Sequence, residues 1–243
     1  MSIDRTRLGG LVAGAAAIVV LTTGLSLGTT SAAERAVKLP PPAFDATPNA
    51  QSAPQTAVFA GGCFWGVQAV FQHTQGVLSA VSGYAGGRKE TASYETVGSG
   101  RTGHAESVQV TFDPHVISLG KILQIYFSVA HDPTQIDGQE PDMGPQYRSE
   151  IFAQDDTQRK VGRAYIAQLD AAKAFAKPIA TKVGDSQATF YPAEDYHQDY
   201  ATKHPSQPYI AHFDLPKIEH LEQLFAGEYR EKPVLVAQAK VGQ

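Results

Sequence analysis

Cysteine is almost absent from this chain: a single thiol, Cys63, stands in 243 residues. That excludes an internal disulfide and any zinc site built on cysteine pairs. Lysine and arginine form no run, and the formal net charge is -4, which argues against a nucleic-acid partner. A phosphate-cradling loop is missing too, since "GGRKE" and "GSGRTG" are glycine-rich without the Walker spacing. His197, His204, His212 and His220 lie seven to eight positions apart, not at the i, i+4 spacing of a helical zinc site, and no metal is expected. What remains is an ordinary globular composition, 42% hydrophobic and 18% charged, of a length that allows one or two domains.

The N-terminus is set apart by its pattern. Arg5 and Arg7 precede the apolar run "LVAGAAAIVVL", and the small residues "SAA" close it at Ala33. Residues 1–33 therefore read as a secretory signal peptide. The rival is an uncleaved anchor, because the uncharged stretch from Leu8 to Ala33 is long enough to span a bilayer. The protein is expected to be exported, periplasmic or extracellular after cleavage, and membrane-anchored if the signal is not cleaved. Residues 34–55 carry five prolines in 22 positions and read as a Pro-rich linker, a semi-extended tether. The domain is expected over 56–230, with a flexible tail at 231–243.

Within the domain, "TAVFA" (56–60) suits a buried strand. A helix is expected from Cys63, with Val67, Val70 and Phe71 on one face. "VLSAVSGY" (77–84) and the alternating "AESVQVTF" (105–112) read as strands, the second placing Val108, Val110 and Phe112 on one side. Ser118 caps the next helix, "YRSEIFA" (147–153) is a strand, Asp155 or Asp156 caps a helix to about Ala174, and "PIATKV" (178–183) is a last strand. The order β-α-β-β-α-β predicts an α+β fold: a two-layer mixed sheet with helices on one face, built on a ferredoxin-like split βαβ core with additions.

The thiol sits in "GGCFWG" (61–66). A free cysteine is ordinarily a small buried core residue. A cysteine that follows a strand, stands behind two glycines and begins a helix is placed differently. Backbone N–H groups and the helix dipole then lower its pKa and leave a reactive thiolate. Phe64 and Trp65 face directions about 100° apart on a helix, so one of them can line an apolar pocket near the sulfur. Glu106 reads by itself as a strand-edge carboxylate, but in an apolar pocket it would be an acid with a raised pKa. His104 or His197 offers a Cys-His pair, the alternative reading of an acyl-transfer enzyme. Tyr94, Asp142 and Tyr147 stand in two further polar segments, and "FYPAEDYHQDY" (190–200) can turn polar tips toward a cleft. A third reading is a binding module with an inert thiol.

Six segments in order, "GGCFWG", "SGYAGG", "SGRTGHAE", "HDPTQ", "GPQYRS" and "YHQDY", closely resemble the signatures of one family, peptide methionine sulfoxide reductase of type A. The likeness spans about Val58 to Tyr209. It implies that Cys63 attacks the sulfoxide sulfur, that Glu106 protonates its oxygen, and that Tyr94 and Tyr147 assist by hydrogen bonding. It implies that Asp142 is an acidic residue of the same site and that Phe64 and Trp65 hold the substrate's S-methyl group. The family acts on the S epimer, free or in peptides, with no metal or bound cofactor.

This chain departs from many members, which carry a resolving cysteine in the stretch where Gly98 stands or in the C-terminal tail. With no second thiol, the sulfenic acid left on Cys63 must be reduced from outside. A thioredoxin-like protein, glutaredoxin or glutathione is the expected donor. The partners expected are oxidised methionine in proteins and peptides and this thiol reductant, acting on a monomer.

Overall fold

In a computed structural model of the protein, Met1 and residues 36–46, 52–184 and 188–236 are described. The expected signal sequence and most of the expected tail lie outside the described residues. The framework is a six-stranded sheet in the order β7-β6-β1-β3-β2-β8. Its strands are β1 (Gln55–Ala60), β2 (Val77–Ala85), β3 (Ala105–Phe112), β6 (Glu150–Phe152), β7 (Lys182–Val183) and β8 (Phe190–Pro192). The longer helices are α1 (Phe64–Gln72), α3 (Leu119–Ile125), α4 (Asp156–Ala171) and α6 (Leu215–Leu224). Short helices α2 (Tyr94–Val97) and α5 (Tyr200–Lys203) and a hairpin of β4 (Gly138–Gln139) and β5 (Asp142–Met143) complete it.

The middle four strands, β6-β1-β3-β2, have the split βαβ arrangement that the element order predicts. β3 lies antiparallel between β1 and β2, and β6 pairs antiparallel with the other edge of β1. β8 extends the sheet antiparallel at β2, while β7 joins β6 in parallel, so the sheet is mixed.

Strand alternation divides the sheet's two faces. Ala57, Phe59, Val108, Val110 and Phe112 point into one core with Val70, Phe71, Ile122, Leu123, Tyr126, Val161, Tyr165 and Leu169. The helices α1, α3 and α4 therefore share this face. Phe59 stacks on Phe71 with ring centroids 5.5 Å apart. Burial of each such ring contributes about 1.5–3 kcal/mol, so these contacts fix α1 against β1. The opposite face holds a smaller cluster of Val58, Ala60, Ala85, Ala105 and Phe152.

The helix starts follow from their caps. Ser118 accepts the Lys121 N–H at 3.1 Å and Asp155 accepts the Gln158 N–H at 2.7 Å, each satisfying an otherwise unpaired donor. α4 ends at Ala171 rather than Ala174, because Lys173 takes a positive φ of 49° and turns the chain. The expected strand at 178–183 is confined to Lys182–Val183.

The described parts of two segments expected to be loose are packed. Leu39 of the Pro-rich stretch is buried in the core. The Val37 N–H donates to the Ser128 carbonyl, the Pro40 carbonyl accepts from the Tyr165 hydroxyl, and the Asp45 carboxylate accepts the Gly120 N–H. A chain rich in proline loses little entropy on being held extended, so one leucine and a few hydrogen bonds dock it. At the other end, the Val234 N–H donates to the Gln72 carbonyl and the Val236 N–H to Asp199. Residues 231–236 are thus held against the end of α1.

Candidate active site

The chain leaves β1 at Ala60 and turns through Gly61 and Gly62 into α1. Gly62 has a φ of 85°, and a Cβ there would come within 2.7 Å of the Gln139 side chain. Only glycine takes this backbone without strain, so the turn presents Cys63 immediately before the helix. The Phe64 N–H, an orphan donor of the helix start, bonds Glu106 Oε2 at 3.0 Å.

Glu106 stands on β3, on the same face as Val108, and is only 4% exposed. Burial pushes its pKa up from 4.5 to about 8, against the pull of the Phe64 N–H and with the help of Asp142 and Asp214. At neutral pH this carboxyl keeps its proton. The thiol responds in the same direction. Burial raises the Cys63 pKa well above its ordinary value, and Glu106 and Asp214 add to the rise, with a smaller push from Asp142. The Trp65 N–H acts oppositely but does not prevail. This corrects the expectation that the helix start makes Cys63 acidic: the dipole is there, but one sulfur at a cap faces burial and three carboxyls brought from β3, β5 and the start of α6.

The two tyrosines join this group. Tyr94, at the start of α2, and Tyr147, in the 3-10 turn Pro145–Tyr147, both have pKa values raised by burial first and by Glu106 second. Both therefore hold their phenolic protons. Cys63 also contributes to each, so the thiol, the carboxyl and both phenols lie within one another's field. Asp142 approaches on the β4–β5 hairpin. Its pKa is raised by burial, and Tyr209 donates to its Oδ2.

Phe64 and Trp65 separate as their helix positions require. Phe64 is 1% exposed and packs against Tyr84 and His197. Trp65 is half-buried and stacks on Tyr200 with centroids 3.9 Å apart, with Tyr209 edge-on at 6.0 Å. Its indole N–H donates to His197 Nδ1 at 3.2 Å, and the His197 ring also meets Tyr94 at 4.4 Å. Beside this aromatic wall opens a cleft lined by Cys63, Gln139, Glu140, Asp142, Tyr209, Phe213 and Lys217.

All seven site residues expected from the sequence thus gather at the end of β1. The Cys-His reading finds no histidine on the thiol among the described residues. His104 accepts the Gly87 N–H at Nδ1, and its Nε2 faces the Arg88 carbonyl at 3.0 Å, so both nitrogens hold the loop that follows β2. Sequence reasoning missed Tyr209, Gln139, Phe213, Asp214 and Lys217. The one available signal was Pro216, which marks a helix start at α6 and brings Lys217 into its first turn. Among the described residues no three His, Cys, Asp or Glu side chains are placed to hold a metal ion.

A thiol beside a protonated carboxyl and two protonated phenols suits an enzyme that attacks a polar, uncharged group and protonates it. The family model for peptide methionine sulfoxide reductase matches residues 55–228. A relative from Mesorhizobium japonicum, peptide methionine sulfoxide reductase MsrA 2, is 60% identical over 76% of this chain and 94% of its own. One from Synechocystis with the same name is 47% identical over 79% of this chain and 90% of its own. The methionine sulfoxide reductase A structure from Corynebacterium diphtheriae is 31% identical, with a TM-score of 0.54, over 74% of this chain and 87% of that one. The reduced form of Mxr1 from Saccharomyces cerevisiae, also 31% identical, has a TM-score of 0.56 over 66% of this chain and 91% of that one. The chain belongs to the peptide methionine sulfoxide reductase family, as a type A oxidoreductase with a single cysteine.

Proposed function

We propose that the protein reduces the S epimer of methionine sulfoxide, in proteins or free, through Cys63. The observation that carries this reading is the Glu106 carboxyl, buried, held by the Phe64 N–H at Oε2, and protonated up to about pH 8. A sulfoxide has an electrophilic sulfur and a basic oxygen. Attack on the sulfur builds negative charge on the oxygen, and a neutral carboxyl and phenols are the groups that answer it.

The Cys63 sulfur bonds to the sulfoxide sulfur while Glu106 gives its proton to the oxygen, with Tyr94 and Tyr147 donating hydrogen bonds. The thiol proton of Cys63 returns to the carboxylate, so a high thiol pKa is matched by a base created in the same step. The oxygen passes to Cys63 as a sulfenic acid and methionine leaves, its sulfur reduced by two electrons and that of Cys63 oxidised by two. An external thiol condenses with the sulfenic acid and releases water, and a second thiol resolves the mixed disulfide. A thioredoxin-like protein, glutaredoxin or glutathione fills this role. Phe64 and Trp65 hold the S-methyl group, and Asp142 orients the substrate with Tyr209. We read residues 1–33 as an export signal, the enzyme as a monomer, and its task as repair of oxidised exported proteins.

A thiol-coupled assay on the separated epimers tests this. The S epimer should be consumed and the R epimer not, and Cys63→Ser should abolish the reaction. Consumption of neither epimer, or activity in Cys63→Ser, overturns it.

A further inference from the structure

Methionine occurs twice in the chain, at Met1 and Met143, so the catalytic domain holds one. Large apolar side chains mostly lie inside, yet Met143 is 61% exposed. It follows Asp142 on β5, at the edge of the cleft. Consecutive strand residues point to opposite faces. Asp142 turns inward to Tyr209, so Met143 turns outward, away from Cys63. Its thioether rests on Gly138: a Cβ at that glycine would lie 2.9 Å from the sulfur and 3.1 Å from the terminal methyl. The hairpin is pinned as well. Gly138 pairs with Met143 and Gln139 with Asp142, and the Gln139 amide bonds both the N–H and the carbonyl of Asp132. The side chain is therefore largely open to solvent and turned away from its own catalytic thiol.

We infer that Met143 is a site of oxidation and that a second copy of the enzyme repairs it in trans. The inference rests on the sulfoxide reductase reading above. A peroxide transfers one oxygen to the thioether, which loses two electrons, and the peroxide leaves as water or alcohol. Cys63 of the second copy attacks the sulfoxide sulfur, takes the oxygen as a sulfenic acid and restores the thioether. Two external thiols then become a disulfide and the oxygen departs as water. Peroxide is achiral and forms both epimers. Each sulfoxide epimer needs its own kind of reductase, so a type A enzyme clears about half of the lesion and leaves the R form standing.

The substrate for the test is full-length Cys63→Ser treated with hydrogen peroxide, and the catalyst is Met143→Leu with dithiothreitol. The tryptic peptide 122–148, which contains Met143, is followed by mass. It should gain one oxygen about as readily as free methionine does, then lose it in about half of the molecules when the catalyst is added. In oxidised wild-type enzyme, repair of this peptide should quicken in proportion to protein concentration. Three results overturn the inference: a Met143 that resists peroxide while free methionine reacts, a peptide that keeps all its oxygen, or a repair rate independent of concentration. The same Met143→Leu preparation is run on free methionine S-sulfoxide. If it succeeds there and fails on the peptide, the inference alone falls; if it fails on both, the functional reading falls with it.

Discussion

Replacing Glu106 by glutamine should lower activity and raise stability. The amide keeps the side chain's shape and an oxygen for the Phe64 N–H, and it removes the acidic proton. With a pKa of about 8, the native carboxyl is roughly nine-tenths protonated at pH 7 and one-tenth at pH 9, so kcat/KM of the wild type should fall by about tenfold between them. General acid catalysis contributes about 10²–10⁴ in rate, and Glu106→Gln should lose a factor of that size at pH 7. Its profile should also lose the break near pH 8. Stability moves the other way. The unfolded chain releases this proton near 4.5 and the folded one near 8, so folding loses stability as pH climbs between those values. Each unit is about 1.4 kcal/mol, which makes the penalty on the order of 3 kcal/mol by pH 7. Glutamine does not ionise, so the variant should resist urea better than wild type at pH 8, and this gain should shrink toward pH 4. Urea unfolding at both pH values and the epimer assay from pH 6 to 9.5 measure the two halves. A gain equal at pH 4 and pH 8, or a break near pH 8 that persists in the variant, refutes the reasoning.

Four further outcomes follow from particular contacts. Glu194 accepts the Tyr94 N–H at 3.0 Å and the Tyr84 hydroxyl at 2.8 Å; Glu194→Ala should lower kcat with little change in KM, and Glu194→Gln should recover part of the loss. Gly62→Ala meets both a positive φ and the Gln139 side chain, and should cost about 1–3 kcal/mol in chemical denaturation. Asp155→Ala removes the cap of α4 and should cost about 1 kcal/mol with activity unchanged, by the same two assays. A single turnover without thiol should leave a monomer heavier by one oxygen in intact mass, whereas continued turnover would show that no outside thiol is needed.

The strands were legible where burial alternates. "AESVQVTF" became β3 at its expected bounds because a half-buried strand must sort its residues by face, and Ser118 and Asp155 became caps because orphan N–H groups need acceptors. β8 and the two-residue strands β4 and β5 escaped notice, being too short to carry a period. The docking of Leu39 escaped because a proline-rich stretch looks unfolded whether or not one of its leucines finds a core. At the site, the residue types and their order were legible, but the electrostatics were not. Cys63 looks acidic from its neighbours in sequence; burial first, and then the carboxyls of Glu106, Asp214 and Asp142, reverse this. Tyr209 lies 67 positions from the carboxylate it bonds, and no local pattern joins them.

The closure of α1 has a consequence for how the enzyme is made. Its first turn is completed by Glu106, and its last carbonyls receive the N–H groups of Arg230 and Val234. His73 and Arg230 are 157 positions apart. A ribosome therefore delivers the helix that carries the nucleophile long before it delivers the segment that seals it. Until residues 230–234 emerge, the end of α1 is open to water and can fray. The thiol is spelled out early in translation, but its surroundings are finished only when nearly the whole chain has been made.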